Sequence, residues 1–239
     1  GMSVFGGGYI VTNMAFLQTV SKEGELSQTI AGNNIWNAII LFSFGIGSMT
    51  QALVARHFGA NNGKAIKEQI HQSIWLTFGI GLLGTAAIVL SAIYVVKFDF
   101  DLAIGLRAQD YLYAIAWGAL PMTMLPAFRG SLEAMNRTRA VLWINLAAFL
   151  INIPLDYALI NGAWGAPKLG AEGCAWASAF LIWMSLIANG FLLVFHPRVK
   201  ALKLFSGFNI PNPKIIAKTF WLGLPVGLSV MIELSMFAG

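Results

Sequence analysis

Apolar positions in this chain gather into long runs, not short alternating stretches, and polar clusters separate the runs. Seven runs stand out, at 4–20, 29–56, 70–96, 103–128, 139–161, 171–195 and 215–239. A helix rises 1.5 Å per residue, so an apolar run of about 20 residues spans a hydrocarbon core roughly 30 Å thick. The separators are "SKEGELSQ", "HFGANNGKAIKEQ", "KFDFD", "RGSLEAMNRTR", "NGAWGAPKLG" and "HPRVKALKLFSGFNIPNPK". The pattern predicts an all-α fold, a polytopic membrane helix bundle. The last separator is the longest and the most broken by proline, so it marks a boundary. Residues 1–200 are read as a six-helix lobe with a shortened first helix, 201–214 as an inter-lobe linker, and 215–239 as the first helix of a second lobe.

Composition removes the soluble alternative. The 239 residues are 57% hydrophobic and only 10% charged, with mean hydropathy +0.71. Too few charges remain to clothe a globule of this length. In a soluble chain a net charge of +5 would point to nucleic acid, but here the distribution explains the charge. The connections after the second, fourth and sixth runs carry Arg56, Lys64, Lys67, Arg129, Arg137, Arg139, Arg198, Lys200, Lys203, Lys214 and Lys218, against Lys22, Lys97, Arg107 and Lys168 in the others. This bias assigns the first set, and the N-terminus, to the cytoplasmic side of the inner (plasma) membrane. No nucleic-acid partner is needed. The "NRT" at 136–138 matches a glycosylation sequon but falls on a cytoplasmic connection and is read as coincidence. Cys174 is the single cysteine, so no internal disulfide or CxxC metal site forms. His57, His71 and His196 lie near run ends and are read as interfacial. No signal peptide is visible, and both ends fall inside apolar runs, as in a piece of a longer transporter.

The acids sort in the same way. Glu23, Glu25, Glu68, Asp99, Asp101, Asp110, Glu133 and Glu172 lie in connections or at run ends, and only Asp156 and Glu233 lie within apolar runs. An ionisable group at that depth costs several kcal/mol unless it faces the bundle interior, water or a partner. Such a residue is a functional candidate, with packing near an interface as the alternative. "INIPLDYALI", residues 151–160, adds Asn152 one helical turn before Asp156, so both side chains leave one face. Pro154 has no N–H and frees the carbonyl of Leu150. Two side-chain oxygens and a released backbone oxygen suit a proton, a hydrated cation or a cationic drug. In "AGNNIWNAI", Asn33, Asn34 and Asn37 either line the same cavity or bond helix to helix. No HExxH, Gly-x-Ser-x-Gly or P-loop pattern occurs, so the chain is not read as an enzyme.

Four stretches resemble one family. "SMTQALVARHFGANNGKAIKE", "FRGSLEAMNRTR", "NIPLDYALINGAWGAPKLGAEGCAWAS" and "LGLPVGLSVMIELSMFA" are similar, in this order and spacing, to junctions and helices of the multidrug and toxic compound extrusion (MATE) family, its NorM-like branch above all. The resemblance covers essentially the whole chain. It implies two six-helix lobes, twelve helices in all, of which this chain supplies the N-terminal half and the start of the seventh helix. It also implies that Asn152 and Asp156 are polar groups of the N-lobe cavity and that Glu233 takes part in cation coupling. Where the family's first helix has an aspartate, "FLQT" places Gln18. Its carbonyl coordinates a cation but carries no proton. Asp156 is then the lobe's only intramembrane carboxylate.

The expected function is secondary active efflux of amphipathic, often cationic small molecules in exchange for Na⁺ or H⁺. The expected partners are the bilayer and the second lobe; no cofactor or structural metal is expected. Residues 1–239 alone are not expected to transport, since alternating access needs an opposing lobe. Two alternatives stand beside this reading. A lipid-linked-precursor or polysaccharide flippase would carry intramembrane basic residues for pyrophosphate, and none is present. A seven-helix receptor would need no second lobe, but its retinal-binding form would need a lysine midway along the last run. The orientation is tested by single cysteines at Lys22 and Lys64 in intact cells: an impermeant reagent is expected to label the first and spare the second, and equal labelling would reverse the assignment.

Overall fold

The computed structural model describes residues 43–98, 102–165, 167–195, 207 and 209–237. Six α-helices account for nearly all of them: α1 over 43–59, α2 over Gly63–Phe98, α3 over Leu102–Ala134, α4 over Thr138–Asn161, α5 over Ala171–Phe195 and α6 over Pro213–Phe237. A short 3-10 turn, Ala163–Gly165, lies between α4 and α5. Four helices are long and apolar enough to cross a membrane, within Gly63–Tyr94, Gln109–Ala134, Thr138–Asn161 and Glu172–Phe195. Among the described residues there is no strand, so the all-α bundle is the observed architecture. The first run, 4–20, lies outside the described residues.

α3 lies at the centre, packed along α2 on one side and α5 on the other. α4 leans on α5 and only brushes α3, although it follows α3 in the chain. Two apolar clusters fasten the ends of this arrangement. Val54, Ile66, Ile70, Leu132, Met135, Val141 and Leu193 join five helices at one end. Ile88, Ala92, Leu112, Ala114, Ile115, Ala119 and Ala175 join α2, α3 and α5 at the other, where alanines let the backbones approach. The outward surface is greasier than a soluble protein tolerates, with Leu83, Trp143, Phe191 and Trp221 each well over half exposed. Ser73, Thr77, Thr123, Ser131 and Asn189 are buried instead. Thr123 donates to the Thr77 carbonyl at 3.1 Å, tying α3 to α2. That arrangement, apolar outside and hydrogen-bonded inside, is what a lipid solvent selects.

Two connections are much shorter than their polar composition implies. The separator at 57–69 shrinks to residues 60–62, because Lys64, Lys67 and Glu68 form the first turns of α2. Asn61 takes a left-handed φ of 54°, the Asn62 N–H reaches the His57 carbonyl at 3.0 Å, and the Asn61 N–H reaches Phe58 at 3.0 Å. The Asn62 side chain then accepts from the Ala65 N–H at 3.1 Å and opens α2. The α3–α4 turn repeats the device: Asn136 has φ 63°, and the Arg137 N–H reaches the Leu132 carbonyl at 3.0 Å. Each is a helix end closed by a left-handed asparagine with a six-to-one bond. Asn136, the first residue of the sequon, therefore has a backbone role of its own. Replacing it with glycine is expected to leave thermal stability unchanged or slightly higher. Valine, which resists left-handed φ, is expected to cost about 1–2 kcal/mol, read as a lower melting temperature of the purified protein; equal melting of the two variants would remove this role.

Candidate functional site

α4 buries very little of itself. Leu150, Ile151, Ile153 and Tyr157 are about half exposed, and the buried positions are Val141, Asn152, Asp156, Ala158 and Ile160. Asn152 and Asp156 are each 1% exposed, on the one face turned to the bundle. A helix with so small a buried face has placed an amide and a carboxylate on it. Asp156 lies five residues before the helix end at Asn161, roughly 7–8 Å along the axis, in the outer part of the span.

α5 supplies the opposite wall. At Gly173 a Cβ atom would fall 2.7 Å from the Leu159 carbonyl, so only glycine lets α5 come this close to α4. The next residue, Cys174, is 3% exposed, hydrogen-bonds with Ser178, and lies within electrostatic reach of Asp156 and of Tyr111 on α3. Three helices therefore bring together Tyr111, Asn152, Asp156, Cys174 and Ser178, all at least nine-tenths buried. Asn152 Nδ2 and Asp156 Oδ1 make no hydrogen bond of ordinary geometry among the described residues. No lysine or arginine pairs with Asp156 there either; the ion pair the helices do hold, Arg129–Glu133 at 3.0 Å, is on α3. Buried polar atoms left without a partner cost about 1–3 kcal/mol each, and more when charged. The atoms in that state are one carboxylate oxygen and one amide N–H, an acceptor and a donor four residues apart on one helix face. Among the described residues no three His, Cys, Asp or Glu side chains converge as a metal site would require.

The other sequence candidates fall differently. Gln18, Asn33, Asn34 and Asn37 lie outside the described residues. Glu233 belongs to α6, and its side chain is likewise outside them. The Leu150 carbonyl is not part of the site. Leu150 and Pro154 are exposed, because two positions from Asn152 and Asp156 is about half a turn of helix, so the oxygen released by Pro154 lies on the outward face. His71 lies in the first part of α2 and is fully buried there, against the residues before α6. Cys174, Ser178 and Tyr111 were missed as neighbours of Asp156. A four-residue Cys–Ser spacing after a glycine was visible, but its facing helix was not.

Residues 7–158 match the MatE family model. The chain belongs to the MatE family. A "Probable multidrug resistance protein NorM" of Shewanella oneidensis is 33% identical over 95% of the chain and 50% of its own length. A "Multidrug resistance protein NorM" of Vibrio cholerae is 28% identical over 95% and 50%. "Multidrug resistance protein MdtK" of Yersinia enterocolitica is 28% identical over 90% and 47%. Among solved structures, a MATE protein in the straight conformation superposes with a TM-score of 0.82 at 20% identity, over 99% of this chain and 52% of that one. An outward-facing MATE family transporter gives 0.77 at 19%, over 99% and 51%. The chain thus spans about half the length of the relatives it matches, as expected of one half of a MatE transporter.

Cys174, the only thiol of this MatE chain, reports on the α4–α5 contact. Gly173→Leu is expected to hold α5 off the Leu159 carbonyl and speed maleimide labelling of Cys174 about tenfold, the factor for about 1.4 kcal/mol of easier local opening. Labelling at the unsubstituted rate would mean that the contact does not shield the site.

Proposed function

We propose that the full-length protein exports amphipathic, cationic compounds across the inner membrane in exchange for Na⁺ or H⁺, and that Asp156 carries the exchangeable charge in this lobe. The observation that carries the reading is the fully buried Asn152–Asp156 pair, with no lysine or arginine paired to it among the described residues, in a MatE chain. The names of the NorM and MdtK relatives, multidrug resistance proteins, support the substrate class.

A buried carboxylate without a fixed cation is neutralised by whatever cation reaches it. If the coupling ion and the drug cation take turns there, entry of one favours release of the other, and the two fluxes run in opposite directions. Asn152 contributes a carbonyl oxygen to a cation, or an N–H to the bare carboxylate, and eases both states. Gln18, in place of an acidic first-helix residue, contributes a carbonyl and no proton, which favours Na⁺. Asn33, Asn34 and Asn37 remain candidates for the drug-facing wall and Glu233 for a second coupling position on α6. The lysine and arginine bias places the N-terminus and the α1–α2 turn in the cytoplasm.

Two outcomes are expected for efflux of a fluorescent cation from proteoliposomes of full-length protein at matched protein levels. Asp156→Asn is expected to lower the rate roughly tenfold or more, because a lost charge–cation contact in a low-dielectric site exceeds about 1.4 kcal/mol. Asn152→Ala is expected to lower it less, since it removes a ligand and no charge. Full activity of Asp156→Asn would return Asp156 to a packing role. Glu233→Gln keeps size and hydrogen bonding but loses charge, and is expected to weaken the dependence of efflux on the ion gradient; an unchanged gradient dependence would remove Glu233 from coupling.

A further inference from the structure

The residues before α6 are held to α2 by side chains. His71, Gln72 and Trp75 lie on one face of α2, and all three bond to backbone between Asn209 and Asn212. The Asn209 N–H donates to His71 Nδ1 at 3.1 Å, and Trp75 Nε1 donates to the Asn209 carbonyl at 3.1 Å. Gln72 Nε2 donates to the Ile210 carbonyl at 2.9 Å, while Gln72 Oε1 accepts from the Asn212 N–H at 2.7 Å. Pro211 and Pro213 have no N–H, so two of the three backbone donors in 209–213 are bound to α2. Asn212 then opens α6, its side chain accepting from the Lys214 N–H at 3.1 Å. Nearer the start of α2, Gln69 donates to the Thr219 hydroxyl of α6 at 2.9 Å and to Ser73 at 3.3 Å, and Thr50 of α1 donates to Ser73 at 3.1 Å.

Beyond these bonds α6 is not packed like the rest of the bundle. An open apolar cleft of about 470 Å³ separates α2 from α6, lined by Trp75, Gly79, Ile80, Leu83 and Ile216. Deeper still α6 meets α1 backbone to backbone: a Cβ on Gly45 would fall 2.5 Å from the Gly227 nitrogen and 2.6 Å from the Gly223 oxygen. Among the described residues, the contact between α6 and the rest thus runs from the polar clasp through the buried Gln69–Thr219 bond to the glycine crossing, with the cleft lying open beside Ile216. The 209–212 side of these bonds is open to water, with Ile210 85% exposed and Asn209 half-buried, while His71 and Gln72 lie buried beneath it.

We propose that the His71–Gln72–Trp75 clasp on residues 209–212 is a reversible latch between the two lobes, and that α6 turns on the Gly45–Gly223–Gly227 crossing when the latch opens. Gln72 is its central residue, holding two of the four backbone bonds. In the closed state the latch shuts the cytoplasmic end of the cleft between α2 and α6; in the open state water takes over its backbone partners. The proposal rests on the transport reading, because only a protein that opens alternately to its two sides has to release this contact.

The test uses full-length protein in proteoliposomes, in a Cys174→Ser background, with spin labels at Lys64→Cys and Lys214→Cys. Both positions are exposed, on α2 and α6, and neither belongs to the clasp or to the Asp156 site. Two distances are expected during turnover. Gln72→Ala is expected to shift their ratio toward the longer one by roughly tenfold, having lost two bonds. Gln72→Glu, which keeps the acceptor for Asn212 and loses the donor to Ile210, is expected to give an intermediate shift. One distance in every condition, or a ratio that neither variant moves, would overturn the latch. Two distances that respond to Gln72 in a protein without efflux would leave the latch standing and overturn the transport reading; efflux with a single fixed distance would do the reverse.

Discussion

A carboxylate buried in an apolar bundle needs partners, and among the described residues Asp156 Oδ1 makes no hydrogen bond of ordinary geometry and no lysine or arginine pairs with the group. The penalty for such a group is a few kcal/mol, a sizeable share of what holds a domain of this size together. The surroundings limit that penalty without removing it. Asn152 stands one turn away, Gly173 draws α5 in, and Cys174, Ser178 and Tyr111 complete a polar patch where three helices meet. Two apolar clusters fasten α3 to its neighbours.

The same constraint organises the rest of the bundle. With lipid outside, apolar side chains gain little by turning inward, so hydrogen bonds and close backbone contact decide which faces meet. Thr77–Thr123 joins α2 to α3, Gln69–Thr219 joins α2 to α6, and glycines let α1 cross α6. At the water-facing ends helices stop by backbone geometry instead: Asn61 and Asn136 take left-handed conformations, and Asn212 with Pro213 starts α6. The polar clasp on 209–212 belongs to this second region, where water can substitute for a lost bond. The Thr77–Thr123 contact is buried between α2 and α3, away from water.

Much of this was legible in the sequence. The runs at 139–161 and 171–195 match α4 and α5 almost to the residue, because an apolar run must be a helix when no water can satisfy its backbone. Run ends at water-facing connections were harder to place. Lys64, Lys67 and Glu68 look like loop by composition, yet they continue α2, since a helix emerging into water takes polar residues freely. Asn152 and Asp156 could be set on one face by their spacing alone. Spacing could also have shown that Leu150 and Pro154 face the other way, and the burial of α4 makes that plain. What lay beyond the sequence was which helix faces them. Cys174, Ser178 and Tyr111 depend on α3 and α5 packing, and the partners of His71 and Gln72 lie far along the chain, Asn209 being 138 residues from His71. No local pattern encodes such partners.

Asp156 is proposed as the charge that drug and coupling ion share. Equilibrium binding of a fluorescent lipophilic cation such as ethidium, titrated against Na⁺ on purified full-length protein, measures this without requiring transport. Competition between the two is predicted for the unsubstituted protein, and Asp156→Asn is predicted to weaken the binding of both roughly tenfold or more. Unchanged affinity for both in Asp156→Asn would contradict the account.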